Sequence, residues 1–156
     1  IKQCLNICYG VFLFNLGNHM QEIYQERILQ LARSIKLSKP IANPTHRAEK
    51  NNPICGDKVI IEVTIKDNFI SDIHLIVRGC ALCEAGAGVW KETAIGKSSN
   101  ELYLLRDELN NYLKHEENIS NDKFECFEPV KKIKNRIDCV LLCFEAATGL
   151  AVVNSD

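Results

Sequence analysis

Cys55, Asp57, Cys80 and Cys139 are the residues of this chain best suited to shared chemistry. Cys55 and Asp57 stand in the turn-forming run Pro53-Ile54-Cys55-Gly56-Asp57. Gly56 permits unusual backbone angles and leaves room for a metal ion, so Asp57 can bend back toward the ion that Cys55 would hold. Cys80 follows Gly79, where a strand pattern gives way to a helical one. Cys139 is expected at the start of the last helix. Backbone N–H groups at a helix start favour a negative sulfur, and it is the thiolate that binds metal. Arg136, three residues before Cys139, is placed to pair with a thiolate or a bound sulfide. Three thiolates and a carboxylate suit zinc in a tetrahedral site, or one face of an iron–sulfur cluster. If the elements pack suitably, the three separate connections that carry these cysteines share one edge of the domain.

The other cysteines read differently. Cys126 and Cys143 are expected as small buried hydrophobes, the common fate of a free cysteine. Cys83 completes Cys80-x-x-Cys83, a redox or metal spacing, and weighs between an auxiliary thiol and plain packing at a helix start. His74 reads as a surface residue on a strand, and His46 and His115 lie in loops without partner spacing.

The chain has 156 residues, eight of them cysteine, with 19 basic against 20 acidic side chains and a formal net charge of -1. That length suits one domain with one core. No long basic run or aromatic-basic stripe calls for nucleic acid. The short cluster Lys131, Lys132, Lys134 and Arg136 reads as a solvated stretch, or more sharply as a patch for an acidic partner. The apolar run around Val11–Phe14 is too short to span a bilayer, and no small-residue cleavage site follows it, so neither membrane insertion nor secretion is expected. The sequence begins at Ile1, and its only methionine, Met20, directly precedes a helical pattern. Residues 1–19 are therefore expected to be an upstream extension, with Cys4 and Cys8 outside the functional unit, and residues 20–156 the domain. In a reducing cytoplasm, the expected compartment, the remaining cysteines read as metal-binding or catalytic before they read as bridges.

The elements that must position these groups are legible in outline. Ile23, Tyr24, Ile28, Leu31, Ala32 and Ile35 form one helical stripe over residues 20–36. The polar stretch 38–54 reads as an extended loop. Alternation at Val59, Ile61, Val63 and Ile65, the turn pair Asp67-Asn68, and alternation at Ile73, Leu75 and Val77 predict an antiparallel hairpin. Small residues Ala81, Ala85, Gly86, Ala87 and Gly88 open a helix that Gly96 closes, and are expected to admit the loop carrying Cys55. Ser98-x-x-Glu101 is a capping box before the Leu102–Leu113 stripe, which with Trp90 should be core. Residues 115–123 read as a surface loop, and a last helix is expected from about residue 138 to 152. The fold class is α+β: a small antiparallel sheet of about three strands packed on one side by helices.

At this point four motifs act together: Asn52-Pro53-Ile54-Cys55-Gly56-Asp57, Gly79-Cys80-Ala81-Leu82, Gly96-Lys97-Ser98 and Arg136-x-x-Cys139-x-x-Leu142. In order and spacing they resemble the U-type iron–sulfur scaffolds (IscU, the NifU N-terminal domain, SufU), over roughly residues 20–150. The resemblance implies an IscU/NifU-like α+β fold. It implies that Cys55, Asp57, Cys80 and Cys139 hold zinc, iron or a nascent two-iron two-sulfur cluster. It also implies a cysteine desulfurase as sulfur donor, Cys139 as persulfide acceptor, and apo-proteins as recipients. The IscU branch carries Lys-x-His-Cys at its third cysteine, whereas this chain has Arg136-Ile137-Asp138-Cys139, nearer the SufU branch and its tightly held zinc. A second departure is Cys83, which stands where the SufU branch usually has serine. Three functions compete. They are a scaffold that hands a cluster on, a zinc-dependent sulfur acceptor (sulfurtransferase), and a structural zinc domain. Asp57 argues against the last, since structural zinc sites use cysteine and histidine.

Overall fold

A computed structural model describes residues 19–150. The expected 1–19 extension, with Cys4 and Cys8, lies outside them apart from His19, as does the end of the last helix after residue 150. Element α1 runs His19–Lys36. Strands β1 (His46–Asn51), β2 (Lys58–Lys66) and β3 (Phe69–Arg78) form one antiparallel sheet in the order β1-β2-β3. Helices α2 (Ala81–Ala94) and α3 (Ser99–His115) follow. A 3₁₀ segment, Asp122–Lys132, leads into α4 (Lys134–Ala147) and a final 3₁₀ turn, Thr148–Leu150. No helix among the described residues is long and apolar enough to cross a membrane.

The β2–β3 hairpin turns where expected. Asp67 and Asn68 have φ of 51° and 68°, the two left-handed residues of a tight turn whose twist matches that of its strands. Val59, Ile61 and Val63 of β2 are fully buried on the face that α4 covers. Strand β1 falls inside the stretch expected to be a loop. It is an edge strand in which only Ala48 is buried, so it lacks the apolar alternation by which strands are recognised. The 3₁₀ segment was also not expected, yet it buries Phe124, Phe127 and Val130.

Helix α2 is the centre of the packing, against α1 on one side and α4 on the other. Its glycines exist for those helices, not for the Cys55 loop as the sequence suggested. A Cβ on Gly86 would lie 2.3 Å from the Val140 carbonyl oxygen, and one on Gly88 would lie 3.0 Å from that of Leu31. Backbone atoms cannot step aside as a flexible side chain can. Gly86→Ala is therefore expected to cost about 1–3 kcal/mol or more, a fall of roughly 2–4 °C per kcal/mol in thermal midpoint, readable by calorimetry. Trp90 and the stripe Leu102, Leu105, Leu109, Tyr112 and Leu113 are core, as expected. The capping box at Ser98 and Glu101 forms, with Ser98 N–H donating to Glu101 at 2.8 Å.

Candidate metal centre

The sheet register builds the site. Asn51 pairs with Lys58, so residues 52–57 are the loop of the β1–β2 hairpin. That loop is held at both ends by Asn52. The Asn52 N–H donates to the Asp57 carbonyl and its carbonyl accepts from Gly56 N–H, both at 2.8 Å. The Asn52 side chain accepts from Ile54 N–H at 3.0 Å. Gly56 turns the chain at φ 74°, a conformation costly for any residue with a Cβ. Lys58 also pairs with Arg78 of β3, which sets Asp57 beside Gly79 and Cys80. Helix α4 crosses β1 and β2 and brings Cys139 beneath them.

The β1–β2 loop thus delivers two donors, and the start of α2 and helix α4 one each. The ligand atoms of Cys55, Asp57 and Cys139 all lie within 4.8 Å of one another. Cys55 and Cys139 sulfurs are 3.9 Å apart, and Cys80 Sγ donates to Asp57 Oδ2 at 3.6 Å. Two zinc–sulfur bonds of about 2.3 Å at a tetrahedral angle separate their sulfurs by about 3.8 Å, and a sulfur and an oxygen by about 3.5 Å. The Cys55–Cys139 and Cys80–Asp57 separations match those that one tetrahedral ion requires, while Cys80 lies outside the set of three whose ligand atoms are all within 4.8 Å of one another. Asp57, Cys80 and Cys139 are 3%, 1% and 0% exposed, and only Cys55 is part-exposed. Solvent, or a partner, reaches the site at Cys55.

The structure corrects the expected electrostatics. Helix α4 begins at Lys134, so Cys139 is its sixth residue and gains nothing from free N–H groups at the helix start. Cys80 is the residue capping α2, yet its sulfur makes no cap hydrogen bond and turns to Asp57 instead. Burial pushes the Cys55 thiol up, partly offset by the Asp57 N–H. Cys139 is held protonated first by its hydrogen bond to Cys80, then by burial and the neighbouring negative charges. Burial, then the charge on Cys80, raises the Asp57 carboxyl. The Cys55 and Cys139 thiols are thus both biased toward their protonated form beside Asp57, and a bound cation must displace those protons. Metal affinity consequently rises with pH. Arg136 is buried with Nη1 4.0 Å from Cys139 Sγ, so it contributes positive charge at this sulfur.

The remaining expectations resolve simply. Cys126 and Cys143 are buried, as expected. Cys83 is fully buried on α2, and its thiol is pushed up by burial and then by the charges of Asp57, Cys80, Cys143 and Cys55. His74 is not a surface residue: it is 8% exposed, its Nδ1 3.2 Å from Ser38 Oγ. The segment after α1 covers that face of β3, which strand alternation does not foretell. The basic cluster is not one patch, because Lys131 lies over the Tyr112 ring and pairs with Glu128 while Arg136 is buried.

Gly79, read from sequence only as a neighbour of Cys80, also lies against Asp57. A Cβ there would lie 2.8 Å from Asp57 Cγ and 3.0 Å from its Oδ1. Gly79 has no left-handed φ, so glycine serves here to leave room for the carboxylate. Gly79→Ala should fold, displace Asp57, and weaken zinc binding by about 10–100-fold in a chelator competition assay.

The family pattern described as the NifU-like N-terminal domain matches residues 23–131. Residues 23–131 are most of the chain, which belongs to this family. Among curated proteins it is 27% identical over 126 residues to the iron–sulfur cluster assembly scaffold protein IscU of Thermotoga maritima, covering 79% of this chain and 88% of that one. It is 20% identical over 131 residues to the zinc-dependent sulfurtransferase SufU of Bacillus subtilis, covering 82% and 88%. Its fold matches the crystal structure of a nitrogen-fixing NifU-like protein (N-terminal) from Brucella abortus. There the TM-score is 0.74 and the identity 29%, over 85% of this chain and 94% of that one. The fold class read from sequence, a small antiparallel sheet with helices, is the one found.

Proposed function

We propose that this protein is an iron–sulfur cluster assembly scaffold. Cys55, Asp57, Cys80 and Cys139 hold iron or a nascent two-iron two-sulfur cluster as cargo, for transfer to recipient apo-proteins. The observation that carries the reading is the convergence of three thiols on Asp57, with Cys55 and Cys139 within 4.8 Å of it and Cys80 hydrogen-bonded to it, in a chain whose relatives include a named scaffold. A carboxylate exchanges more readily than a fourth thiolate, which suits a site that must release what it holds. Sulfur arrives from a cysteine desulfurase as a persulfide. The Cys139 sulfur takes its outer sulfur atom, the donor S–S bond breaks as the new one forms, and the donor leaves as a thiol. Arg136 beside Cys139 favours the thiolate that attacks. Cys55, the part-exposed thiol 3.9 Å away, stands on the solvent side of that step.

A second reading is favoured by Arg136 and by likeness to a zinc-dependent sulfurtransferase. There the same four residues would hold a resident zinc, which would supply a Lewis acid that keeps the thiols ionised, and Cys139 would pass sulfur on without building a cluster. Anaerobic incubation with iron, cysteine and a desulfurase separates the two. The scaffold reading expects visible cluster absorption. One tightly held zinc, stimulated desulfurase turnover and no cluster band would refute it and leave sulfur transfer.

A further inference from the structure

Cys83 is a buried thiol at the edge of the site that neither reading uses. We propose that Cys80 and Cys83 form a dithiol that reduces the sulfur accepted at Cys139 to sulfide. The proposal rests on the reading of Cys139 as acceptor.

Cys80 caps α2 with φ -75° and ψ 168°, and Cys83 is the third residue of the helix. Glu84 N–H donates to the Cys80 carbonyl at 3.0 Å, closing the first turn. Across such a turn the two Cα atoms are about 5–6 Å apart, inside the roughly 4.4–6.8 Å that a disulfide spans. A C-x-x-C pair at a helix start is the spacing of dithiol redox chemistry. Cys80 also touches the acceptor side, since it shares hydrogen bonds with Cys139 and Asp57. Cys83 is 0% exposed, so its sulfur is shielded from bulk solvent. Cys143, equally buried, lies on α4, one turn beyond Cys139, and has no such helix-start spacing to Cys80.

Persulfide sulfur must gain two electrons to become sulfide, and a dithiol closing to a disulfide releases two. Cys80 first attacks the outer sulfur on Cys139. That S–S bond breaks, Cys139 returns to a thiol, and Cys80 carries the persulfide. Cys83 then attacks the Cys80 sulfur; the Cys80–Cys83 bond forms and the outer sulfur leaves. In total, one persulfide and two thiols give one thiol, one disulfide and one hydrogen sulfide, with the Cys80 proton passing to Cys139 and the Cys83 proton joining the persulfide's own on the departing sulfide. A low-molecular-weight thiol reopens the disulfide by exchange.

The test uses the full chain, reduced, freed of reductant and kept anaerobic. Cysteine persulfide is added briefly and removed by gel filtration. Sulfide release is followed, together with the masses of the Cys139 peptide and of the tryptic peptide 79–91, whose only cysteines are Cys80 and Cys83. The wild type is expected to load Cys139, then release sulfide while peptide 79–91 loses two hydrogens. Cys83→Ser and Cys83→Ala should load Cys139 equally, which also reports an intact site, but release sulfide about tenfold more slowly or worse. Release at the wild-type rate from both variants, or release with peptide 79–91 still a dithiol, overturns the proposal. A wild type that never loads Cys139 overturns the acceptor reading and this proposal with it, and the Cys139 peptide mass distinguishes that failure from the others.

Discussion

Cys139→Ser is expected to lower zinc affinity by about two orders of magnitude and to abolish sulfur acceptance. The magnitude follows from dividing the ~10–16 kcal/mol of a four-ligand zinc site among its ligands, about 3 kcal/mol each. Cys139 is the residue for which the loss should be largest. It is fully buried, lies within ligand distance of both Cys55 and Asp57, and is the sulfur beside the Arg136 guanidinium. Serine fills the same space, so the fold should survive, with a thermal midpoint near that of the metal-free wild type. Mass spectrometry after incubation with desulfurase should find the added sulfur on Cys139 in the wild type. Its appearance on Cys80 or Cys83 alone would refute the assignment.

Asp57→Asn should move stability and metal binding in opposite directions. Burial and the charge on Cys80 raise the folded-state carboxyl above its ordinary value. The fold therefore favours the protonated acid. Stability linked to that proton is fully present below the ordinary carboxylate range and is lost as pH rises through the folded value. When ionised, this buried carboxylate is only partly satisfied by the surrounding thiols. Replacing it by the amide is expected to raise the metal-free thermal midpoint by about 2–4 °C, for a gain on the order of 1 kcal/mol. The gap between variant and wild type should close as pH falls toward the acid range. Zinc affinity should drop by about 10–100-fold, because the oxygen donor at the centre of the site is gone. A destabilised metal-free variant would mean that burying the Asp57 carboxylate costs nothing, and unchanged zinc affinity would mean that Asp57 is not a ligand.

These two residues, with Cys55 and Cys80, were nameable from sequence because their chemistry is local: thiols and a carboxylate beside glycines at element boundaries. The hairpin and α1 were legible for a similar reason, since their apolar periodicity is strong. The parts that stayed hidden depend on partners distant in the chain. Strand β1 buries only Ala48 and exists because β2 offers it an edge. The start of α4 precedes Cys139 by a full turn because Lys134 and Asn135 enter the helix without a capping side chain. Gly79 matters only once the Lys58–Arg78 pairing has set it against Asp57. The small residues of α2 announced a close approach, but not that α1 and α4 would make it.

The site's composition is open to a direct measurement: X-ray absorption at the zinc edge of the full chain loaded with one zinc. Three thiolates and one carboxylate predict three sulfur neighbours at about 2.3 Å and one oxygen at about 2.0 Å. One sulfur should be lost in Cys139→Ser, whereas Asp57→Ala should keep three sulfurs with a water oxygen in the fourth position. A shell of four sulfurs, or outer scattering from an imidazole ring, would contradict the account.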